Sequence, residues 1–263
     1  MKIITCIKQV PASSKVNVDP VTGVLIRDGN NVKMNPYDLY ALETAFLVKE
    51  KNMNWEIHAI TMGPPSAKKV LEEALHMGAD KASLLTDKVF AGADVLATSY
   101  TISQLIQLIG NYDLIICGKQ TTDGDTAQVG PEIAEFLSIP HVTYVKEILE
   151  IKDHSIIVKS SYDEFDEIIE MKLPALITIE KGFNVPRLPS FKRKMAMEKV
   201  TINVVTFKDL KDQNKDHYGL KGSPTQVDEI FPPIKNNQSV LLRCSPEEQA
   251  SRIRDLLKDK RYL

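Results

Sequence analysis

The residues best placed by type and spacing to do chemistry form one run, Gly118-Lys119-Gln120-Thr121-Thr122-Asp123-Gly124-Asp125-Thr126-Ala127-Gln128-Val129-Gly130-Pro131. Glycines at 118, 124 and 130 let backbone come close to a ligand, and Thr121, Thr122 and Thr126 add hydroxyl donors. The run lies between an apolar strand ending at Cys117 and a helix starting near Gln128. The free amides and positive dipole end of that helix would face phosphate. The plain alternative is a surface loop whose polar groups satisfy the helix terminus. Asp123 and Asp125 have the wrong charge for phosphate, so they are expected to turn outward, accept loop amides or face a ribose hydroxyl. They are not read as an acid/base pair, and no catalytic residue is assigned. Neither GxGxxG nor GxxxxGK[ST] occurs, which removes the dehydrogenase fingerprint and the P-loop.

The elements that must position this run alternate in period. Ile3–Ile7, Glu56–Met62, Lys81–Leu85 and Asp113–Cys117 read as short apolar strands, and helical spacing falls between them, from Asn35-Pro36-Tyr37-Asp38 to about Glu50, over Ser66–Met77 and over Ala93–Ile109. That alternation means a parallel α/β sheet covered on both faces. Val16–Asp19 and Val24–Arg27 flank Thr22-Gly23 as a hairpin excursion. Val142–Ile151, Ser155–Tyr162 and Glu164–Lys172 read as an antiparallel meander, after which Ala175–Ile179 returns to the sheet. From Lys181 to Lys199 the pattern is lost in a basic loop. A nucleotide-binding domain over 1–199, including a loop at 184–199, and an arm over 200–263 are expected, the arm holding a strand at Val200–Phe207, Phe231-Pro232-Pro233 and a terminal helix from Pro246.

A chain of 263 residues, 43% hydrophobic, buries a full core. Its net charge of -2 argues against nucleic-acid binding. Cys6, Cys117 and Cys244, and the scattered His58, His76, His141, His154 and His217, lack ligand spacing, so no metal site is expected. No stretch reaches the roughly 20 apolar residues of a membrane span and no signal peptide opens the chain, so a cytoplasmic protein without membrane partners is expected.

Four separated motifs in order resemble the beta subunit of electron transfer flavoproteins: Ile4-Thr5-Cys6-Ile7-Lys8-Gln9-Val10-Pro11, Met34-Asn35-Pro36-Tyr37-Asp38, Ala74-Leu75-His76-Met77-Gly78-Ala79-Asp80, and Gly118-Lys119-Gln120 with the Asp123–Pro131 run. The match extends through Asn184-Val185-Pro186-Arg187. The resemblance implies a Rossmann-like parallel sheet of the adenine nucleotide alpha hydrolase type, with an antiparallel β excursion and a C-terminal arm. It implies an electron carrier paired with a larger alpha subunit that holds a redox-active FAD and serves a flavin-dependent dehydrogenase such as an acyl-CoA dehydrogenase. In the ordinary branch of the family the beta-subunit pocket holds a structural AMP. In the electron-bifurcating branch it holds a second FAD reduced by NADH, and electrons divide between the alpha-subunit FAD and ferredoxin or flavodoxin. The loop at Asp123–Pro131, the hairpin Val16–Arg27 and the segment Gly219-Leu220-Lys221-Gly222-Ser223-Pro224-Thr225 resemble the bifurcating branch.

Carried over by resemblance, the adenylate would be held by Cys6, Asn35, Pro36, Tyr37, Asp38, Met62, Gly118, Lys119, Gln120, Thr121, Thr122, Asp123, Gly124, Asp125, Thr126, Ala127, Gln128 and Val129. The side chains of Cys6 and Met62 also suit core filling, and Asp38 either faces a ribose or favours its helix start. Arg187 to Met195 resembles the family's recognition loop for the partner dehydrogenase, with Arg187 and Phe191 as docking residues; the alternative tucks Phe191 onto its own domain. Ala250, Ile253, Leu256 and Leu257 form a stripe that embraces the alpha subunit or docks on its own sheet. Outside the family, a stand-alone ATP-binding stress-type protein or an ATP-cleaving enzyme of similar fold is the remaining reading, against which the missing SGGxDS-type motif and the unpaired stripe weigh.

Overall fold

The computed structural model describes residues 1–12, 17–18, 25–26, 32–51, 54–196, 201–226 and 240–263. The chain opens with β1 (Lys2–Cys6), then runs through β2 (Gln9–Pro11), β3 (Asn17–Val18), β4 (Leu25–Ile26) and β5 (Val32–Met34) into helix α1 (Pro36–Lys51). Next come β6 (Glu56–Met62), α2 (Lys68–Met77), β7 (Lys81–Leu85), α3 (Val95–Ile109), β8 (Leu114–Gly118) and α4 (Val129–Leu137). Then β9 (His141–Ile151), β10 (Ser155–Ser161), β11 (Asp166–Lys172), β12 (Ala175–Ile179), α5 (Phe191–Ala196), β13 (Asn203–Val205) and α6 (Pro246–Asp259) complete the order.

Nine of these strands form one sheet in the order β11-β10-β9-β12-β8-β1-β6-β7-β13. From β12 to β13 all pairs are parallel, as the near-continuous apolar strands require. Side chains alternate between two cores. Ile3, Ile57, Leu114, Ile116 and Ile177 join the buried residues of α1 and α2, whereas Ile4, Ile60, Leu85, Ile115 and Leu176 join those of α3 and α4. Each such Leu or Ile contributes about 1.5–3 kcal/mol by leaving water. The meander extends the sheet on its β9 side, with β9, β10 and β11 antiparallel. The hairpin pairs Asn17 with Ile26 and Val18 with Leu25; its tip at Thr22-Gly23 lies outside the described residues, as do Phe231-Pro232-Pro233.

Three expectations are corrected. The boundary at 199/200 falls inside a compact unit that runs from Met1 to Asp228, with a second unit at Glu229–Leu263. β13 pairs with β7, and Phe207, Leu210 and Tyr218 are buried in the same core as Phe90, so residues 201–226 belong to the sheet domain. The strand itself is three residues long, not the span from Val200 to Phe207, because Phe207 already starts a 3-10 turn and Val200 lies outside the described residues. The basic loop also contains a helix, α5, whose six residues are too few to show a period. Arg193 fixes it by donating to the carbonyls of Leu75 at 3.1 Å and Ala79 at 2.9 Å, groups that the end of α2 leaves without helical partners.

In the second unit, Ser245 caps α6 through the Glu248 amide, and Ile253 and Leu256 are exposed. Among the described residues no helix is long and apolar enough to cross a membrane.

Helix α4 lies so close to the sheet that a Cβ on Gly130 would stand 2.7 Å from Thr178 Cγ2 on β12. Gly130→Ala is therefore expected to destabilise the chain by about 1–3 kcal/mol through overpacking, read as a lower urea midpoint with unchanged m-value.

Candidate functional site

β1 pairs with β6 on one side and β8 on the other, so the chain reverses its direction of sheet growth between β1 and β8. In open α/β sheets the crevice outside the carboxyl ends of two such strands binds ligands. Here β1 ends at Cys6, the register partner of Cys117, and β8 ends one residue later at Gly118. The Gly118–Pro131 loop leaves β8 at this point. The antiparallel ribbon of β2 and β5 carries the chain out from β1 and back, so that the Asn35 amide bonds the Lys8 carbonyl at 2.9 Å and α1 begins beside the loop.

Two buried side chains join these parts. Asn35 is fully buried; its Nδ2 donates to the Gln120 carbonyl at 2.8 Å, and its Oδ1 accepts from the Thr122 amide at 3.2 Å. Read in sequence as a helix cap, it instead closes the first turn of the loop. Asp38 is 5% exposed and accepts the Lys8 amide at 2.7 Å and the Gly118 amide. Burial pushes its pKa up to about 7, even though Asn35, Lys8 and Gly118 all favour the ionised form. Its carboxyl faces inward, to the Lys8 and Gly118 amides. Pro36 occupies the first helical position, and Tyr37 contributes backbone contact. Gly118 is glycine for this packing: a Cβ would collide with Asp38 Oδ1 and lie 2.8 Å from the Tyr37 carbonyl carbon.

Beyond the clamp the loop rises into solvent, with residues 122–126 and Gln128 exposed. Asp125 and Ala127 both adopt φ of 56°, a left-handed conformation that costs a non-glycine residue about 1–2 kcal/mol. Gln128 returns to the right-handed region, and neighbouring right- and left-handed residues turn successive amides toward one concave side. Gln128 makes no side-chain cap, which leaves the first-turn amides of α4 to an outside acceptor. A Cβ on Gly124 would meet nothing nearer than Thr121 Oγ1 at 3.4 Å, so this glycine is not required by packing. The donor set fits the phosphates of a nucleotide.

The charged groups are paired internally. Asp123 bonds the Lys8 ammonium at 2.9 Å; partial burial raises its pKa, but Lys8 and Thr121 outweigh that and hold it below the usual carboxylate range. Asp125 accepts from the Gln120 side-chain amide. Lys119 pairs with Glu180 at 2.8 Å and lies 4.7 Å from the centroid of the Tyr144 ring, so its charge is taken up within the chain. Lys8 and Glu180 escaped the sequence reading because each is an ordinary surface residue until the sheet brings its partner beside it. Cys6 and Met62 are half-buried against the α3/α4 core, as is Val129. The neighbouring Cys6 sulfur, then burial, push the Cys117 thiol up, which keeps this end of the crevice uncharged.

The docking segment is divided in role. Arg187 is engaged within its own chain: its guanidinium bonds Glu43 twice at 2.8 Å and Glu50 at 2.9 Å, and covers the Phe46 ring at 4.7 Å. It ties the segment to α1, and the resemblance of motifs could not reveal that. Phe191 is 76% exposed at the start of α5, with Leu188 and Val185 also exposed.

Because Asp38 holds its proton up to about 7 in the fold and only to the ordinary carboxyl value when unfolded, its contribution to stability is greatest at low pH and is lost as pH rises through that window. Asp38→Asn is expected to flatten the pH dependence of the urea midpoint between about pH 4 and about pH 7. Equal slopes in the two proteins would mean that the carboxyl is ionised throughout.

A family model described as electron transfer flavoprotein domain matches residues 22–210. The chain is 42% identical over 263 residues to the electron transfer flavoprotein subunit beta of Clostridium acetobutylicum, covering 100% of both proteins. It is 40% identical over 264 residues to the caffeyl-CoA reductase-Etf complex subunit CarD of Acetobacterium woodii, again 100% of each. Protein FixA of Sinorhizobium fredii is 42% identical over 250 residues, 92% of this chain and 86% of that protein. A loop at the switch point of a parallel sheet, together with likeness along the whole chain, makes this protein a member of the electron transfer flavoprotein family, of the beta-subunit type.

Proposed function

We propose that this chain is the FAD-binding small subunit of an electron-bifurcating flavoprotein, in which NADH gives hydride to the flavin held at the Gly118–Val129 loop. The observation that carries the reading is the position of Gly219–Thr225, the segment that resembles the bifurcating branch. Ser223 Oγ accepts the Asp94 amide at 2.8 Å, and the Thr225 amide and hydroxyl donate to Asp94 Oδ2 at 3.0 and 2.6 Å. Asp94 is the N-cap of α3, which follows the carboxyl end of β7. The segment is thereby tied to the turn that follows the carboxyl end of β7, the sheet edge from which the loop also leaves, and this supports a ligand longer than an adenylate.

A bound flavin supplies the hydride acceptance and the one-electron donation; the chain supplies position and polarity. Asn35 fixes the loop turn, the loop and first-turn amides left open after Asp125 N–H bonds the Thr121 carbonyl are assigned to the diphosphate, and the Lys8–Asp123 pair closes the outer side. No side chain is assigned a proton. Electrons leave to the FAD of the alpha subunit and to ferredoxin or flavodoxin, and the name of the Acetobacterium relative supports a CoA-ester oxidoreductase as the dehydrogenase partner. The exposed stripe of α6, with Ile253 and Leu256, is assigned to the alpha subunit.

Purified with its alpha subunit and denatured to release cofactors, the heterodimer is expected to yield two FAD; one FAD and one AMP would make it a plain carrier. Phe191→Ala is expected to raise KM for the partner dehydrogenase about tenfold or more, with flavin content and NADH oxidation by an artificial acceptor unchanged. An unaltered KM would remove Phe191 from the docking surface.

A further inference from the structure

The two strands that flank the switch point carry a pair of thiols at their carboxyl ends. Cys6 closes β1, and Cys117 is its register partner on β8. Both side chains pack with the α3/α4 core, so they leave the sheet on the same face. Adjacent strands lie about 4.8 Å apart, inside the roughly 4.4–6.8 Å of Cα separation that a disulfide spans. The two side chains are hydrogen-bonded to each other, so the sulfurs themselves are neighbours.

The backbone around the pair is fixed on both sides. Asp38 accepts the Lys8 amide just past Cys6 and the Gly118 amide just past Cys117, and the Ile7 amide bonds the Ile60 carbonyl at 2.9 Å. Cys117 lies beneath the first turn of α4, where a Cβ on Gly130 would stand 3.7 Å from its own Cβ. The two thiols differ in access. Cys6 is half-buried, whereas Cys117 is 4% exposed. Contact with Cys6, then burial, push the Cys117 thiol up, which makes it a poor first nucleophile. A reagent from solvent therefore meets Cys6 first, with a second thiol already beside it. That is the arrangement of an attacked and a resolving cysteine. The third cysteine, Cys244, belongs to the second unit.

We infer that Cys6 and Cys117 are a modification site that closes to a reversible disulfide, with low-molecular-weight disulfides as the oxidant class. Cys6 loses its proton and attacks the outside disulfide; a mixed disulfide forms on Cys6 and one outside thiolate leaves. Cys117 then loses its proton and attacks the Cys6 sulfur; the internal bond forms, the mixed disulfide breaks and the second outside thiolate leaves. The two protein thiols are oxidised, the outside disulfide is reduced to two thiols, and these take up the two protons. The second step is intramolecular between groups already in contact, so it outruns attack by another reagent molecule. The product staples β1 to β8 at the floor of the crevice, beneath α4.

Dithiodipyridine is the probe, because each sulfur it loses is read by absorbance as pyridinethione. The folded full-length chain carrying Cys244→Ser, without nucleotide, is expected to release two pyridinethiones, keep no pyridyl group and weigh less by two hydrogen atoms. Peptide mapping is expected to find Cys6 joined to Cys117, and dithiothreitol to restore both thiols. With Cys117→Ser added, one pyridinethione is released and the other pyridyl group stays on Cys6. With Cys6→Ser added instead, release is expected to slow about tenfold or more, since only the buried thiol remains. A pyridyl group that stays on Cys6 while Cys117 is present, separate labels on both residues, or no release from the folded chain overturns the pairing.

Discussion

The site depends on one buried carboxyl. Asp38 gathers the amide at the end of β1, the amide at the end of β8 and the first turn of α1 into one cluster, and it does so with an atom that a side chain on Gly118 would displace. Its removal from water is costly enough to bring its pKa near neutrality, so the cluster is held partly against the preference of the group that holds it. What the arrangement gains is position. The two strand ends flanking the switch point are fixed relative to each other, and the loop that leaves one of them starts from a defined direction.

Asn35 transmits that definition one step further. Hydrogen-bonded to the Gln120 carbonyl and the Thr122 amide, it makes the first loop residues an extension of the packed domain. The left-handed Asp125 and Ala127 lie between this clamp and the tightly packed start of α4 at Gly130. Strained backbone persists when both ends are over-determined, and such strain collects where a ligand is gripped. The three glycines that looked equivalent in sequence thus have unlike reasons: 118 and 130 admit neighbouring protein, and 124 alone faces outward.

How far the sequence could be read follows from this division. Period and apolarity revealed β1, β6, β7 and β8, the helices between them and the meander, because each is a local pattern with a local cause. The loop between β8 and α4 was legible for the same reason. Roles that depend on long-range pairing were not. Asn35 looked like a cap, Arg187 like a docking residue, and Lys8 like nothing in particular, since their partners lie 85, 144 and 115 residues away in sequence. The arm boundary was misplaced because β13 is only three residues long, and its membership in the sheet is decided by β7. Family motifs identified the protein class without saying which side chains touch a ligand and which hold the touching ones in place.

The electrostatics of the loop complete the picture. Around the loop, Lys8 is paired with Asp123, Lys119 with Glu180, and Asp125 with a side-chain amide. The side-chain charges nearly cancel, so what remains facing the ligand is the partial positive charge of the uncapped α4 terminus and the amides turned by the left-handed residues. These are fixed dipoles. Fixed dipoles select an anion by geometry, whereas long-range attraction by free lysines holds any anion loosely and fades with salt.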